Sequence, residues 1–323
     1  MLVLGLVVFM FTGFIFVFFA FLLPLIPLIC PANPDFRAHR PHLHRRTQQQ
    51  MRLLTLRTKN GTKAVRQDGD TLTEIDGFAD VGELLRSPDW EATAKAANGA
   101  KHPLEGADLD AVVPSPGKII CVGHNYRNHI KEMGREVPEF PTLFAKYQES
   151  LIGPNDDLAL PQESDTVDWE SELAVVIGKK GRRIAEADAA DHIAGYAVLN
   201  DVSMRDYQFR TIQWLQGKTW EKSTPFGPAL VTKDEFSGGL MTTAVDGEIQ
   251  QQTPTNDVVF TPEFLVSYIS TIITLNPGDV IATGTPGGVG HAQDPKRYLQ
   301  EGQLLVTTIE GLGELKNRVV KEA

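Results

Sequence analysis

Asp168-Trp169-Glu170-Ser171-Glu172-Leu173-Ala174-Val175-Val176-Ile177-Gly178 is the stretch around which the rest of the chain is read. It is an apolar strand pattern that opens with two glutamates two residues apart. Successive side chains of a strand point to opposite faces, so Glu170 and Glu172 project to the same side, about 6 to 7 Å apart. Two like charges leading into Leu-Ala-Val-Val-Ile are tolerable if a cation sits between them, and a divalent metal is the simplest candidate. The alternative for any Glu-x-Glu is a solvated strand face.

Hard cations such as Mg²⁺ take carboxylate oxygens from several elements, so a third ligand should follow. Asp201 is the best candidate. It ends a second strand-like run, Ile193-Ala194-Gly195-Tyr196-Ala197-Val198-Leu199-Asn200. The turn and short helix before it are long enough to lay this run beside the first.

Composition sets the class. A chain of 323 residues, 42% hydrophobic and 22% charged, can bury a core in one large or two moderate domains. With 31 basic against 41 acidic residues the formal charge is -10, which argues against a general affinity for nucleic acid or anionic lipid. The two cysteines, Cys30 and Cys121, form no Cys-x-x-Cys spacing, which fits a reducing compartment and a cytoplasmic protein. Cys121 sits in an apolar run, where a buried thiol serves as a small hydrophobe.

Three segments follow from the pattern. Residues 1–50 are a hydrophobic leader: positions 2–29 carry no charge and exceed the roughly 20 residues needed to cross a bilayer. Its basic flank, Arg37 to Arg46, would hold the remainder on the cytoplasmic side. The competing reading is a mis-assigned start, with the protein beginning at Met51, where composition changes abruptly. Membrane association is expected only if residues 1–50 are translated. Residues 51–115 read as a small N-terminal α+β domain, with turns at Lys59-Asn60-Gly61 and Gln67-Asp68-Gly69-Asp70 and a helix near Val81. Residues 116–323 carry the chemistry.

Within that larger part, His129 and Glu132 stand three apart on a short helix and share a face, so a carboxylate can orient an imidazole; a plain surface contact is the alternative. Gly123 and Gly134 flank them, as in a hinged lid. A helix capped by Ser203 places Arg205 and Gln208 on one face, suited to a substrate carboxylate or, for Arg205, to a neighbouring acid. Lys222, in a loop bounded by Gly217 and Pro225, is the lysine assigned to the cleft, while Lys146 is either solvated or turned to the site. Residues 261–273 form a helix with Phe264, Leu265, Tyr268 and Ile272 on its buried face. The small-residue run Thr283-Gly284-Thr285-Pro286-Gly287-Gly288-Val289-Gly290 lacks the Lys-Ser/Thr of a phosphate loop. Its backbone N–H groups and Thr285 are free to cradle a carboxylate.

Taken in order, Val122-Gly123-His124-Asn125-Tyr126, Asp168-Trp169-Glu170-Ser171-Glu172-Leu173-Ala174, Asn200-Asp201-Val202-Ser203, Lys222-Ser223 and the run from Thr283 to Gly290 resemble the fumarylacetoacetate hydrolase family. The resemblance covers Pro116 to the C-terminus, and residues 51–115 resemble the short N-terminal domain of bacterial members. Residues 1–50 have no counterpart in that pattern. The resemblance implies a mainly β protein with some α, a mixed β-sandwich roll usually assembled as a homodimer. It implies Mg²⁺ or Mn²⁺ on Glu170, Glu172 and Asp201, with His129, Glu132 and Lys222 in catalytic roles. Arg205, Gln208 and Thr285 then bind a small 2-oxo acid. The leading expectation is hydrolysis of the carbon–carbon bond of an acylpyruvate such as fumarylpyruvate. Decarboxylation of oxaloacetate, or isomerisation of 2-hydroxyhepta-2,4-diene-1,7-dioate, is the alternative on the same site. A non-catalytic, membrane-tethered binding protein is the alternative from another class.

Overall fold

The run Ser171–Ile177 is a strand in which every residue is buried, and it lies near the middle of a large mixed sheet. The computed structural model describes residues 51–322, so the leader at 2–29, its basic flank and both readings of them lie outside the described residues. Among the described residues no helix is long and apolar enough to cross a membrane.

The sheet begins at its N-terminal edge with Lys101–Pro103, Thr71–Glu74, Gly61–Asp68 and Arg52–Thr58. Thr224–Thr232, Ile193–Asn200 and Ser171–Ile177 follow, then Val280–Ala282, Ile119–Gly123 and Thr142–Lys146. Arg52–Thr58 pairs with Thr224–Thr232, so the strands before Ser115 continue the sheet that carries the later ones. Most pairings are antiparallel; Val280–Ala282 and Ile119–Gly123 run parallel. A second, five-stranded sheet is ordered Glu248–Pro254, Leu240–Val245, Leu304–Ile309, Gly313–Lys321 and Leu158–Leu160. The expected mainly β architecture, with few and short helices, is what the chain forms.

Alternation explains where the core lies. Leu240–Val245 and Leu304–Ile309 alternate buried with half-buried residues, as strands with one apolar face do. Ser171–Ile177, covered on both faces, is apolar after its first two residues.

Two local expectations are corrected. The helix Pro262–Ile272, capped by the Thr261 hydroxyl accepting from the Phe264 N–H, buries Leu265, Val266, Ile269 and Ser270, whereas Ile272 is 60% exposed. The buried stripe is rotated by about one position because the helix packs on the turn Glu186–His192, and the Ser270 hydroxyl accepts from the Ile184 N–H. Ser203 caps no helix. It sits in the short strand Ser203–Met204, paired with Val167–Asp168, and its hydroxyl donates to the Asp201 carbonyl. Thr166 takes its place: its carbonyl and hydroxyl accept from the N–H groups of Arg205 and Asp206 at the start of the helix Arg205–Gln208.

Candidate active site

The antiparallel register sets the centre. Ser171 faces Asn200 and Glu172 faces Leu199, so one step further Glu170 stands opposite Asp201, joined by the Asp201 N–H donating to the Glu170 carbonyl at 2.8 Å. Glu170, Glu172 and Asp201 are all buried, and one carboxylate oxygen from each lies within 4.8 Å of the other two.

Three cations surround them. Lys146 at the end of its strand is fully buried and donates to Asp201 Oδ1 at 2.7 Å, which resolves the alternative left open for it. Lys218 donates to Glu170 Oε2 at 2.7 Å and to Asp201 Oδ2 at 3.0 Å. Arg205 Nη1 donates to Glu170 Oε1 at 2.6 Å and to Gln208 Oε1 at 2.9 Å, and its Nε donates to Asp168 Oδ2 at 2.8 Å. Its Nη2 lies 2.7 Å from the same Asp168 oxygen but is not aligned to donate to it. Asp168 in turn accepts from the N–H groups of Gly290 and His291.

The electrostatics single out Glu172. Burial works to raise the Glu170 carboxyl, but Lys218 and Arg205 outweigh it and hold it below the usual range. Burial, with the charges of Asp201 and Glu170 beside it, pushes the Glu172 carboxyl well above that range. Burial pulls Lys218 down, and Asp201 and Glu170 more than offset it. Four carboxylates (Asp168, Glu170, Glu172, Asp201) face three cations (Lys146, Arg205, Lys218), an excess of one negative charge that falls on Glu172, whose Oε2 accepts from the Gly284 N–H. Three convergent buried oxygens with unbalanced negative charge are what a hard divalent cation requires, so these residues fit Mg²⁺ or Mn²⁺. With such an ion the cluster carries one net positive charge, suited to an anionic substrate.

A small cleft opens at this cluster; Glu170, Arg205, Gln208, Lys218, Thr285 and His129 line it. His129 and Glu132 lie on the helix Arg127–Glu132, with Nδ1 of His129 3.1 Å from Glu132 Oε2. The other oxygen of Glu132 accepts from the Gly288 N–H, and Asn128 Oδ1 accepts from the Gly287 N–H, so the small-residue run pins this helix over the cleft. The amides expected to cradle a substrate carboxylate are therefore engaged by Glu172, Asn128, Glu132 and Asp168. Thr285 lines the cleft, its hydroxyl accepting from Gln251 Nε2 at 2.8 Å.

Lys222 is not brought to the site. It is exposed at a positive φ of 51°, where the chain turns away, and the buried lysine is Lys218, four residues earlier. Gly217 permits this, because a Cβ there would stand 2.5 Å from the Gln208 backbone nitrogen. Sequence reasoning also missed two histidines in the cleft wall, His124 and His291. His291 Nδ1 lies 2.9 Å from the Tyr298 hydroxyl, and burial lowers its pKa.

A mixed β roll with a buried carboxylate triad beside a His–Glu pair is the arrangement of a metal-site enzyme. The chain belongs to the fumarylacetoacetate hydrolase family: residues 118–320 match the model described as fumarylacetoacetate (FAA) hydrolase C-terminal. Among curated proteins, it is 45% identical over 252 residues to a mitochondrial oxaloacetate tautomerase of Xenopus laevis, covering 75% of this chain and 77% of that one. It is 47% identical over 248 residues to a mitochondrial oxaloacetate tautomerase of Homo sapiens, with 75% and 78% covered. Among solved structures, a putative HpcE protein from Mycobacterium smegmatis superposes with a TM-score of 0.77 at 34% identity, covering 84% of this chain and all of that one. A 2-hydroxyhepta-2,4-diene-1,7-dioate isomerase from Mycobacterium marinum superposes with a TM-score of 0.71 at 32% identity, covering 84% and 99%.

Proposed function

We propose that this protein interconverts the keto and enol forms of a 2-oxo dioate of the oxaloacetate type, using Mg²⁺ or Mn²⁺ held by Glu170, Glu172 and Asp201. The observation that carries the reading is the shared pocket: Glu170 of the buried carboxylate triad and the carboxylate-oriented His129 line one small cleft. The names of the 45–47% identical relatives support the choice of reaction.

When bound, the cation supplies Lewis-acid stabilisation of negative charge developing on the substrate's 2-oxo oxygen. The chain does the rest. The Arg205 guanidinium and the Gln208 carboxamide, which both line the cleft, hold the substrate carboxylate next to the triad. Lys218 places a fixed positive charge at the same spot. His129 takes the proton from carbon 3 as that C–H bond breaks and returns it to the 2-oxo oxygen, giving the enol; the reverse transfer restores the keto form. Glu132 fixes the imidazole through Nδ1 and stabilises its charged state, and the Gly288 N–H fixes Glu132.

The same pair could instead deprotonate a water for cleavage of an acylpyruvate, a second reading that rests on the 3.1 Å His129–Glu132 contact. The relatives are named as mitochondrial, and a reducing compartment of that kind accommodates the buried free thiol of Cys121. The test supplies oxaloacetate, acetylpyruvate and fumarylpyruvate with Mg²⁺, following enol absorbance, pyruvate and CO₂. Accelerated loss of the oxaloacetate enol without pyruvate is expected. Pyruvate from an acylpyruvate, with oxaloacetate tautomerising no faster than in buffer, would overturn the proposal in favour of the hydrolase.

A further inference from the structure

His124 follows the strand Ile119–Gly123 at a φ of 55°, in the left-handed region that costs a non-glycine residue roughly 1 kcal/mol or more. Both of its ring nitrogens are sealed from solvent, and among the described residues neither has a hydrogen-bond partner. A buried polar group left this way costs about 1–3 kcal/mol. Glycine at this position would relieve both penalties. An outlier of this kind in a cleft wall points to a ligand.

The ring is held in place. It stacks on His129 with centroids 6.0 Å apart and planes 22° apart, and it meets the edge of Trp214 at 5.3 Å. Trp214 in turn lies so close to Gly123 that a Cβ there would stand 2.3 Å from its Cζ3. His124 is therefore a fixed polar group beside the proposed base.

Charge supplies the second observation. Arg205 and Lys218, the other full cations in the cleft wall, are paired with carboxylates. Among the described residues Arg135 lines the same cleft with no carboxylate partner, close enough that its charge acts on His124. It follows the turn at Gly134 that ends the pinned helix, at the rim of the cleft. The four carboxylates and three cations of the cluster, with the ion, carry one net positive charge, which balances a single substrate carboxylate. A second carboxylate needs a second cation.

We infer that His124 and Arg135 form a second anchor, binding the carboxylate at the end of the substrate remote from the triad. The inference rests on the 2-oxo dioate reading above and assigns the residues that hold the second carboxylate. A substrate with a neutral alkyl end would leave both groups unpaired, and sites built this way reject analogues lacking the polar group.

Two stable probes share a chelating oxalyl head and differ at the far end: N-oxalylglycine carries a second carboxylate and oxamate does not. Binding of each to the Mg²⁺-loaded full chain is measured by calorimetry for the parent, His124→Leu and Arg135→Gln. The parent should prefer N-oxalylglycine by about tenfold or more, each variant should lose most of that preference, and oxamate should stay within about twofold throughout. An unchanged preference in both variants, or equal loss of both probes, overturns the second anchor while leaving the 2-oxo acid reading standing. Failure of the loaded parent to bind either probe overturns that reading and the anchor with it.

Discussion

Replacing Lys218 by methionine tests the arrangement of charges most sharply. Lys218 is 2% exposed and bridges Glu170 at 2.7 Å and Asp201 at 3.0 Å. At an effective dielectric constant of 20, each such contact is worth on the order of 4 kcal/mol before desolvation. Relieving the burial of the ammonium returns several kcal/mol, so the net loss is the roughly 3–5 kcal/mol typical of a broken buried pair. For a chain of this size that corresponds to a Tm lower by roughly 6–15 °C in metal-free buffer. The two carboxylates freed by the change repel one another, and a divalent cation relieves that repulsion. Added Mg²⁺ should therefore raise the Tm of Lys218→Met by more than that of the parent, each tenfold gain in affinity adding about 1.4 kcal/mol. Lys222→Met is the control: its side chain is exposed, and the change should stay within about 0.5 kcal/mol. The assay is thermal unfolding with and without chelator. A Tm for Lys218→Met within about 2 °C of the parent, or an equal loss for Lys222→Met, would refute the reasoning.

Glu172→Gln removes the charge that the metal-free cluster tolerates least. Its Tm in chelator should match or exceed the parent's, while the stabilisation by Mg²⁺ disappears; a fall of several degrees in chelator would count against the excess negative charge. Glu132→Gln should lower turnover by about 10²- to 10⁴-fold with Mg²⁺ affinity, measured by calorimetry, unchanged, because Glu132 acts through His129 and not on the triad. Burial first, then Arg135 and His129, push the His124 pKa from 6.5 down to about 4. A histidine lowered in the folded state favours folding fully above pH 6.5, and that contribution is lost as the pH falls towards 4. After discounting for its partial exposure it amounts to about 1–2 kcal/mol. Denaturant unfolding of the parent should show this slope between pH 6.5 and 4, and His124→Leu should lack it. Asp68, Asp156 and Asp206, all held low, add their slope further towards acid.

The centre of the site was legible because it depends on period and register. Two glutamates at strand spacing and an aspartate ending the next strand fix their own meeting once the strands pair antiparallel. Lys218 was not legible, since it ends the short helix Leu215–Lys218 and Lys222 lies in the turn beyond, and what separates them is how Gly217 lets that helix pack on Gln208, a contact between segments. Arg205 and Gln208 were found together by helical spacing, yet Asp168, which holds Arg205 from the strand Val167–Asp168, shows no sequence signal linking it to a residue 37 positions away. The loop from Thr283 to Gly290 was read as a carboxylate cradle, and its amides do hold carboxylates, those of the protein itself. His124, quoted in a motif of the resemblance, was given no role because its left-handed backbone and unpartnered ring exist only in the folded cleft.

The central claim is that Glu170, Glu172 and Asp201 hold the ion on which enolisation depends. Loss of enol absorbance from oxaloacetate is the direct test, followed with the parent before chelation, after exhaustive chelation, and after Mg²⁺ is restored. The account predicts full rate, then the buffer rate, then recovery, with Glu170→Ala fixed at the buffer rate throughout. An undiminished rate in the chelated parent, or in Glu170→Ala, would contradict it.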